Sequence, residues 1–312
     1  MWATSACWLL REGGTTGTMS PTDLTNLTRL MQRTSGRPEI VIGLIDGPVL
    51  ITQADLAGQS IREVPGKLGA VCSRASSAAC LHGTFVAGIL VAKRGSPAPA
   101  ICPGCTLLVR PIFAETSSTN GDMPSATPEE LASAIIASTD AGARVLNLSA
   151  ALAQTSSRGE RQLEEALNYA ARRGVIAVAA AGNQGTVGSS AITRHPAVIP
   201  VAACDLQGRP LTESNLGSSI GRQGLSAPGE GVTSLGANGK PQTFGGTSAA
   251  APFVTGAIAL LWSEYPRASA AQIKLAVRQS GGRRRNTIVP PLLDAWAAYQ
   301  AMAAAGSTMS AL

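Results

Sequence analysis

Charge and aromatic side chains are what this sequence has least of. Charged residues fill 14% of its 312 positions, against about 25% in an ordinary soluble chain. Aromatic residues fill 4%. A chain with 45% apolar residues and so little charge is not intrinsically disordered. No heptad and no Gly-x-y period runs through it, which excludes a coiled coil and a collagen helix. Histidine is reduced to His82 and His195, so a histidine base has only two places to sit. The net charge of +6 is mild. Its one dense basic run, Arg283-Arg284-Arg285, has no interleaved aromatics, so nucleic acid is not an expected partner.

Residues 1–18 do not read as a secretory signal: the apolar stretch is short, no Lys or Arg precedes it, and Arg11 and Glu12 end it. Met19 reads as a natural start, and the expected compartment is the cytoplasm. The uncharged run from Pro241 to Ser263 is long enough for a membrane span. It carries Gly245, Gly246, Thr247, Ser248 and Pro252, however, and reads instead as a buried helix with a Gly-rich entry, so no membrane is expected. There are six cysteines: Cys7, Cys72, Cys80, Cys102, Cys105 and Cys204. A reducing cytosol keeps thiols free by default. Cys72, Cys80, Cys102 and Cys105 are a candidate zinc quartet, although the first pair lacks the spacing of a usual zinc knuckle. A disulfide or redox pair and plain buried thiols are the other two readings.

What the chain does have is small and aliphatic residues, with 34 glycines, arranged as alternating strands and helices. Ser20-Pro21-Thr22-Asp23 is a helix start, with Leu24, Leu27, Leu30 and Met31 on one face. Apolar runs at 40–45, 107–112, 144–149, 175–181 and 198–203 read as strands buried on both faces. Helices are expected over 128–141, 159–173, 247–265, 269–280 and 291–304, with surface loops at 113–127, 152–159 and 184–195. The expected fold is α/β, a doubly wound, mainly parallel sheet with helices on both faces. Chemistry in such sheets gathers at the carboxyl ends of the strands, where Asp46, Ser149 and Asn183 stand.

A hydroxyl nucleophile needs a base and the base an orienting group, and three segments supply an Asp, a His and a Ser: Val41–Gly47 with Asp46, His82–Gly88 with His82, and Gly245–Pro252 with Ser248. The chain order Asp, His, Ser is that of subtilisin. With Gly246-Thr247-Ser248-Ala249 before Pro252 and with His82-Gly83-Thr84, the chain resembles the subtilisin-like serine proteases, or subtilases, over roughly residues 39–280. The resemblance implies Ser248 as nucleophile, His82 as general base and Asp46 as the group that orients His82. Ala180-Ala181-Gly182-Asn183 matches the family's oxyanion segment, which implies Asn183 as a donor to the tetrahedral oxyanion. Ser149, Ala150, Ala151 and Gly182 are implied to line the substrate strand.

Leu30–Thr34, Asp46-Gly47-Pro48-Val49 and Arg110-Pro111-Ile112-Phe113 carry a finer resemblance, to the proteases that mature cyanobactin-type ribosomal peptides. That resemblance implies removal of a leader or follower from a precursor peptide. A general degradative protease and a weakly active peptide-binding scaffold are the alternatives. In either case the partner is a peptide or protein substrate. Four departures from the family stand out: Gly47 where Ser or Thr usually follows the acid, Phe85 in place of a second histidine, Ala150-Ala151 in the substrate strand, and only residues 1–39 before the first strand, too few for an inhibitory pro-segment. The expected organisation is an extension and helix over 1–38, a peptidase domain over 39–306 and a flexible tail over 307–312. No cofactor is required. Asp55 is the candidate for a calcium site.

Overall fold

A computed structural model describes residues 19–115, 125–149, 157–280 and 287–309. Ser20 caps α1 (Pro21–Leu24), its Oγ accepting from the Asp23 N–H. The helix then breaks where the sequence pattern runs on. Asn26 adopts a left-handed conformation, φ 52°, which asparagine tolerates better than most residues. The restarted α2 (Leu27–Arg33) turns Leu27 and Leu30 into the core.

The strands and helices that follow are β1 (Val41–Asp46), β2 (Ile61–Glu63), α3 (Ala78–Val91), β3 (Thr106–Pro111), α4 (Pro128–Asp140), β4 (Val145–Leu148), α5 (Ser157–Arg172), β5 (Ile176–Ala180), α6 (Ala191–Arg194), β6 (Val198–Cys204), α7 (Ser218–Gln223) and β7 (Leu225–Pro228). The seven strands form one parallel sheet in the order β2-β3-β1-β4-β5-β6-β7. A hairpin of β8 (Val232–Ser234) and β9 (Gln242–Phe244) leads into α8 (Thr247–Glu264), followed by α9 (Ala270–Gln279) and α10 (Ala295–Met309). The winding reverses at β1, with β3 on one side and β4 on the other, and this places the switch-point crevice at the carboxyl end of β1.

Strand side chains divide with a period of two. Ile42, Leu44, Leu107, Val109 and Val178 pack with α3 and α8, while Val41, Ile45, Leu108, Leu146 and Ala179 pack with α4 and α5. The uncharged run found in the sequence comprises β9, a Gly-Gly turn and most of α8, a helix at the centre of the larger core. Every residue of α8 is buried except Ser248 and Glu264. Burial on all sides rather than amphipathicity holds it, so its Ala and Gly content reflects close packing. Pro252 lies inside its second turn and lacks the N–H that would bond the Ser248 carbonyl. Among the described residues no helix is long and apolar enough to cross a membrane.

Candidate active site

The site is assembled from three elements of that core. β1 ends in Asp46, which is fully buried. Its Oδ1 accepts from the Gly47 N–H at 2.6 Å and from His82 Nδ1 at 2.7 Å. His82 lies on the second turn of α3, which Ser77 caps through the Cys80 N–H. His82 Nε2 stands 3.0 Å from Ser248 Oγ, and Ser248 is the second residue of α8. With the Nδ1 proton donated to Asp46, the Nε2 lone pair faces the serine hydroxyl. Burial lowers the His82 pKa, but the charge of Asp46 and its hydrogen bond raise it more, and the net result lies above the ordinary 6.5.

Two glycines fix this spacing. A Cβ on Gly47 would stand 2.0 Å from the Ala79 carbonyl, and one on Gly83 2.5 Å from the Gly47 carbonyl. The end of β1 therefore rests directly on the first turns of α3. The departure at Gly47 is explained here: a serine side chain has no room. Asp46 Oδ2 is buried with no hydrogen-bond partner among the described residues.

Ser248 sits where a helix leaves its N–H groups unbonded, at the positive end of the dipole. Asn183 is exposed beside it. Its Oδ1 accepts from the Thr247 N–H at 2.8 Å and from Thr247 Oγ1 at 2.9 Å, which leaves the Nδ2 donors free to meet an oxyanion. Gly182 (φ 105°) gives its N–H to Thr247 Oγ1 and its carbonyl to the Asn215 N–H. Both backbone polar groups of Gly182 are thus already bonded within the protein. Ser149 follows β4 and is half-buried; its Oγ accepts from Asn147 Nδ2 at 3.0 Å. Ala150 and Ala151 lie outside the described residues, as does the Arg283–Arg285 run.

Sequence reasoning missed the supports of this site. Asn147 is fully buried in β4, and its Oδ1 accepts from Thr255 Oγ1 of α8 at 2.9 Å, tying the helix that carries Ser248 to the sheet. An asparagine inside the apolar run Val145–Leu148 was the signal. Thr247 and Asn215 hold the oxyanion segment from two sides. Phe85, the substituted histidine position, is fully buried with its ring 4.9 Å from that of Phe244, which itself lies over His82 at 6.4 Å.

The cysteines correct the expectations. The four candidate zinc ligands do not converge. Cys72 and Cys80 form a disulfide, and Cys102 and Cys105 are free thiols buried elsewhere. The quartet fails because the first pair joins α3 to the loop before it, whereas the second lies in the core, where Cys105 Sγ stands 4.0 Å from Ser263 Oγ of α8. Among the described residues, the one group whose metal-ligating atoms gather is Cys72, Cys80 and Glu115, and Asp55 is not part of it. The Glu115 carboxylate accepts from the Ser73 and Arg74 N–H groups and from the Ser73 and Ser77 hydroxyls, so it ties the segment before α3 to the end of β3.

Known proteins place this geometry. Residues 37–290 match the model of the Subtilase family. The chain is 31% identical to fervidolysin of Fervidobacterium pennivorans over 274 residues, covering 79% of this chain and 38% of that protein. It is 32% identical to subtilisin DY of Bacillus licheniformis over 198 residues, covering 62% and 67%. It thus spans well under half of fervidolysin and two thirds of the subtilisin. Among solved structures, the protease domain of PatA superposes with a TM-score of 0.78 at 29% identity, covering 86% of this chain and 97% of that one. The prenylagaramide maturation protease PagA gives 0.77 at 28%, covering 88% and 98%. The PatG macrocyclase domain, at 21% identity and a TM-score of 0.75, shares the fold. With the family's segment containing all three of Asp46, His82 and Ser248 in hydrogen-bonded sequence, the chain belongs to the subtilase family.

Proposed function

We propose that this protein is a serine endopeptidase that acts through an acyl-enzyme, and that it removes a leader or follower segment from a ribosomally made precursor peptide. The carrying observation is the unbroken line Asp46–His82–Ser248, with contacts of 2.7 and 3.0 Å. Ser248 Oγ attacks the scissile carbonyl carbon as its proton passes to His82 Nε2. Asn183 Nδ2 and the Ser248 N–H hold the oxyanion. Collapse breaks the C–N bond, and His82 returns the proton to the leaving amine. Water, deprotonated by His82, then hydrolyses the ester and frees Ser248. Asp46 keeps the Nδ1 proton in place and balances the imidazolium.

The maturation role is supported by the likeness to the PatA domain and PagA, each covered almost end to end. General degradation is the second reading, supported by the likeness to fervidolysin and subtilisin DY. The proposed compartment is the cytoplasm. The free thiols Cys102, Cys105 and Cys204 accord with a reducing compartment. The Cys72–Cys80 disulfide argues the other way, and a thiol count on protein trapped in cells decides between them. No metal or cofactor enters the proposed chemistry.

Ser248→Ala should abolish both peptide cleavage and labelling by a fluorophosphonate while leaving the circular dichroism spectrum intact; cleavage by that variant overturns the assignment. Asn183→Ala should lower kcat by about 10²–10³, the scale known for the corresponding donor of subtilisin. Digestion of unfolded casein at many sites favours the degradative reading over maturation.

A further inference from the structure

The Arg110-Pro111-Ile112-Phe113 segment is not used by the triad. Arg110 lies on β3 opposite Ile45, so its side chain enters the α4 side of the sheet, away from His82. It is 6% exposed. Its guanidinium presses on the backbone of Gly66, where a Cβ would stand 2.1 Å from Cζ and Nη1. Nη1 donates to the Pro111 carbonyl at 2.8 Å. Nε is buried with no hydrogen-bond partner, and among the described residues no carboxylate stands within ion-pair distance of Arg110.

Arg110 faces a cleft of about 230 Å³ that it shares with Lys67, Thr127, Glu129, Glu130 and Ser133. Neither glutamate forms an ion pair with Arg110. Glu130 Oε2 accepts from the Thr127 N–H at 3.0 Å in the cap of α4. Glu129 Oε1 lies against Gly159 of α5. Burial lowers the Arg110 pKa, while the charge of Glu130 works against that shift, and the side chain remains a cation because arginine does not lose its proton in proteins. Buried charges in folded proteins are normally paired, and the planar fork of arginine matches a carboxylate in two-point contact. The cleft is also lined by Pro111 and Ile112, at the carboxyl end of β3 beside β1. Ile112, two residues after Arg110, donates its N–H to the Asp46 carbonyl at 2.8 Å.

We propose that this cleft is a carboxylate-binding exosite, in which Arg110, with the exposed Lys67 at its mouth, takes an Asp or Glu side chain of the peptide substrate away from the cleaved bond. The proposal rests on the endopeptidase reading above. It explains why a chain with so few charges buries one that has no ion-paired carboxylate among the described residues: the carboxylate arrives with the substrate. Gly66 is part of the device, since any side chain there would push the guanidinium out of place.

The test is a digest of a proteome-derived peptide library by the wild type, Arg110→Met and Gly66→Ala, with products sequenced by mass spectrometry. The wild type should enrich Asp and Glu at a fixed distance from the cut, and both variants should lose that enrichment. For a matched peptide pair differing by Glu or Gln at that position, Arg110→Met should raise KM for the Glu peptide at least tenfold. Its kcat and its KM for the Gln peptide should not change. Labelling of Ser248 by a fluorophosphonate at the wild-type rate shows that each variant is folded with an intact triad. Arg110→Met should melt at or above the wild-type temperature, because an unpaired buried charge has been removed, whereas a structural arginine would give a lower one. No acidic enrichment in the wild type, or enrichment that survives both variants, overturns the exosite. Failure of the wild type itself to label overturns the endopeptidase reading, and the exosite with it. The labelling arm therefore separates the two failures.

Discussion

His82 and His195 are the only histidines in the chain, both are buried, at 9% and 5% exposed, and their surroundings push them in opposite directions. At His195 burial dominates and lowers the pKa; the charges of Glu164 and Lys274 act in opposite senses. Its Nδ1 accepts from the Ala197 N–H at 3.2 Å, a bond that only the neutral ring can accept there. At His82 the same burial is overcome by Asp46, 2.7 Å away. Burial alone makes a histidine a neutral packing residue. What makes one a base is a buried carboxylate in contact with one nitrogen and a hydroxyl within reach of the other. The contact is a backbone achievement, because it depends on β1 and α3 meeting at Gly47 and Gly83.

The largest expected effect separates the two histidines directly. Asp46→Asn leaves the shape but lets the imidazole take the wrong tautomer, and kcat should fall by about 10⁴. His195→Gln should leave kcat within about twofold, since a substitution away from the site acts mainly on stability. Steady-state kinetics on one peptide substrate checks both. A comparable loss of kcat from the two variants would break the contrast and give His195 a functional role.

The disulfide braces only one of the two sites. Cys80 precedes His82 by two residues, and its bond to Cys72 closes a short loop onto the start of α3. Cross-linking a loop of this length contributes roughly 2–3 kcal/mol by the chain-entropy relation. Cys72→Ser with Cys80→Ser should therefore lower the melting temperature by several degrees and make it insensitive to reductant. The kcat at 25 °C should hold, because Gly47 and Gly83 rather than the disulfide set the Asp46–His82 spacing. A large fall in kcat would show that the disulfide sets the register of α3.

Much of this contrast was legible in the sequence. The apolar runs ending in Asp46 and Ser149 gave β1 and β4 nearly to the residue, because strands buried on both faces leave an uninterrupted aliphatic signature. Most of the uncharged run at 241–263 resolved into α8 once Ser248 and Pro252 were read as helix entry rather than span. The edge strand β2 and the hairpin strands β8 and β9 were invisible: each has three residues, too few for a period. The pairing of Cys72 with Cys80 was equally hidden. It depends on how the loop before α3 folds back on Val49, where the Cys72 N–H meets the Val49 carbonyl, and sequence spacing carries no such information. Glu115 and Thr247 escaped for the same reason. Each is an ordinary polar residue whose role exists only in the partners it finds.

The smallest effect is the one that tests the physical cause of the contrast. A histidine whose folded pKa lies above 6.5 gives stability that is fully present below that pH and lost as pH rises through the folded value. His82 is such a group. One whose folded pKa lies below 6.5 gives stability that is present above that pH and lost as pH falls through the folded value; His195 is that group. Urea midpoints measured from pH 5 to pH 8 should therefore show a downward slope above 6.5 that disappears in His82→Asn. An upward slope below 6.5 should disappear in His195→Asn. Lys274, whose pKa is lowered to about 8 by burial, contributes a constant offset at lower pH and a slope only from about that value upward, which leaves the lower window clear. The same sign governs activity. Protonated His82 cannot take the Ser248 proton, so kcat/KM should fall as pH drops through a value above 6.5, and Asp46→Asn should move that limb downward by removing the charge that holds the proton on. If both variants flatten the same side of the curve, the carboxylate is not what distinguishes the two rings.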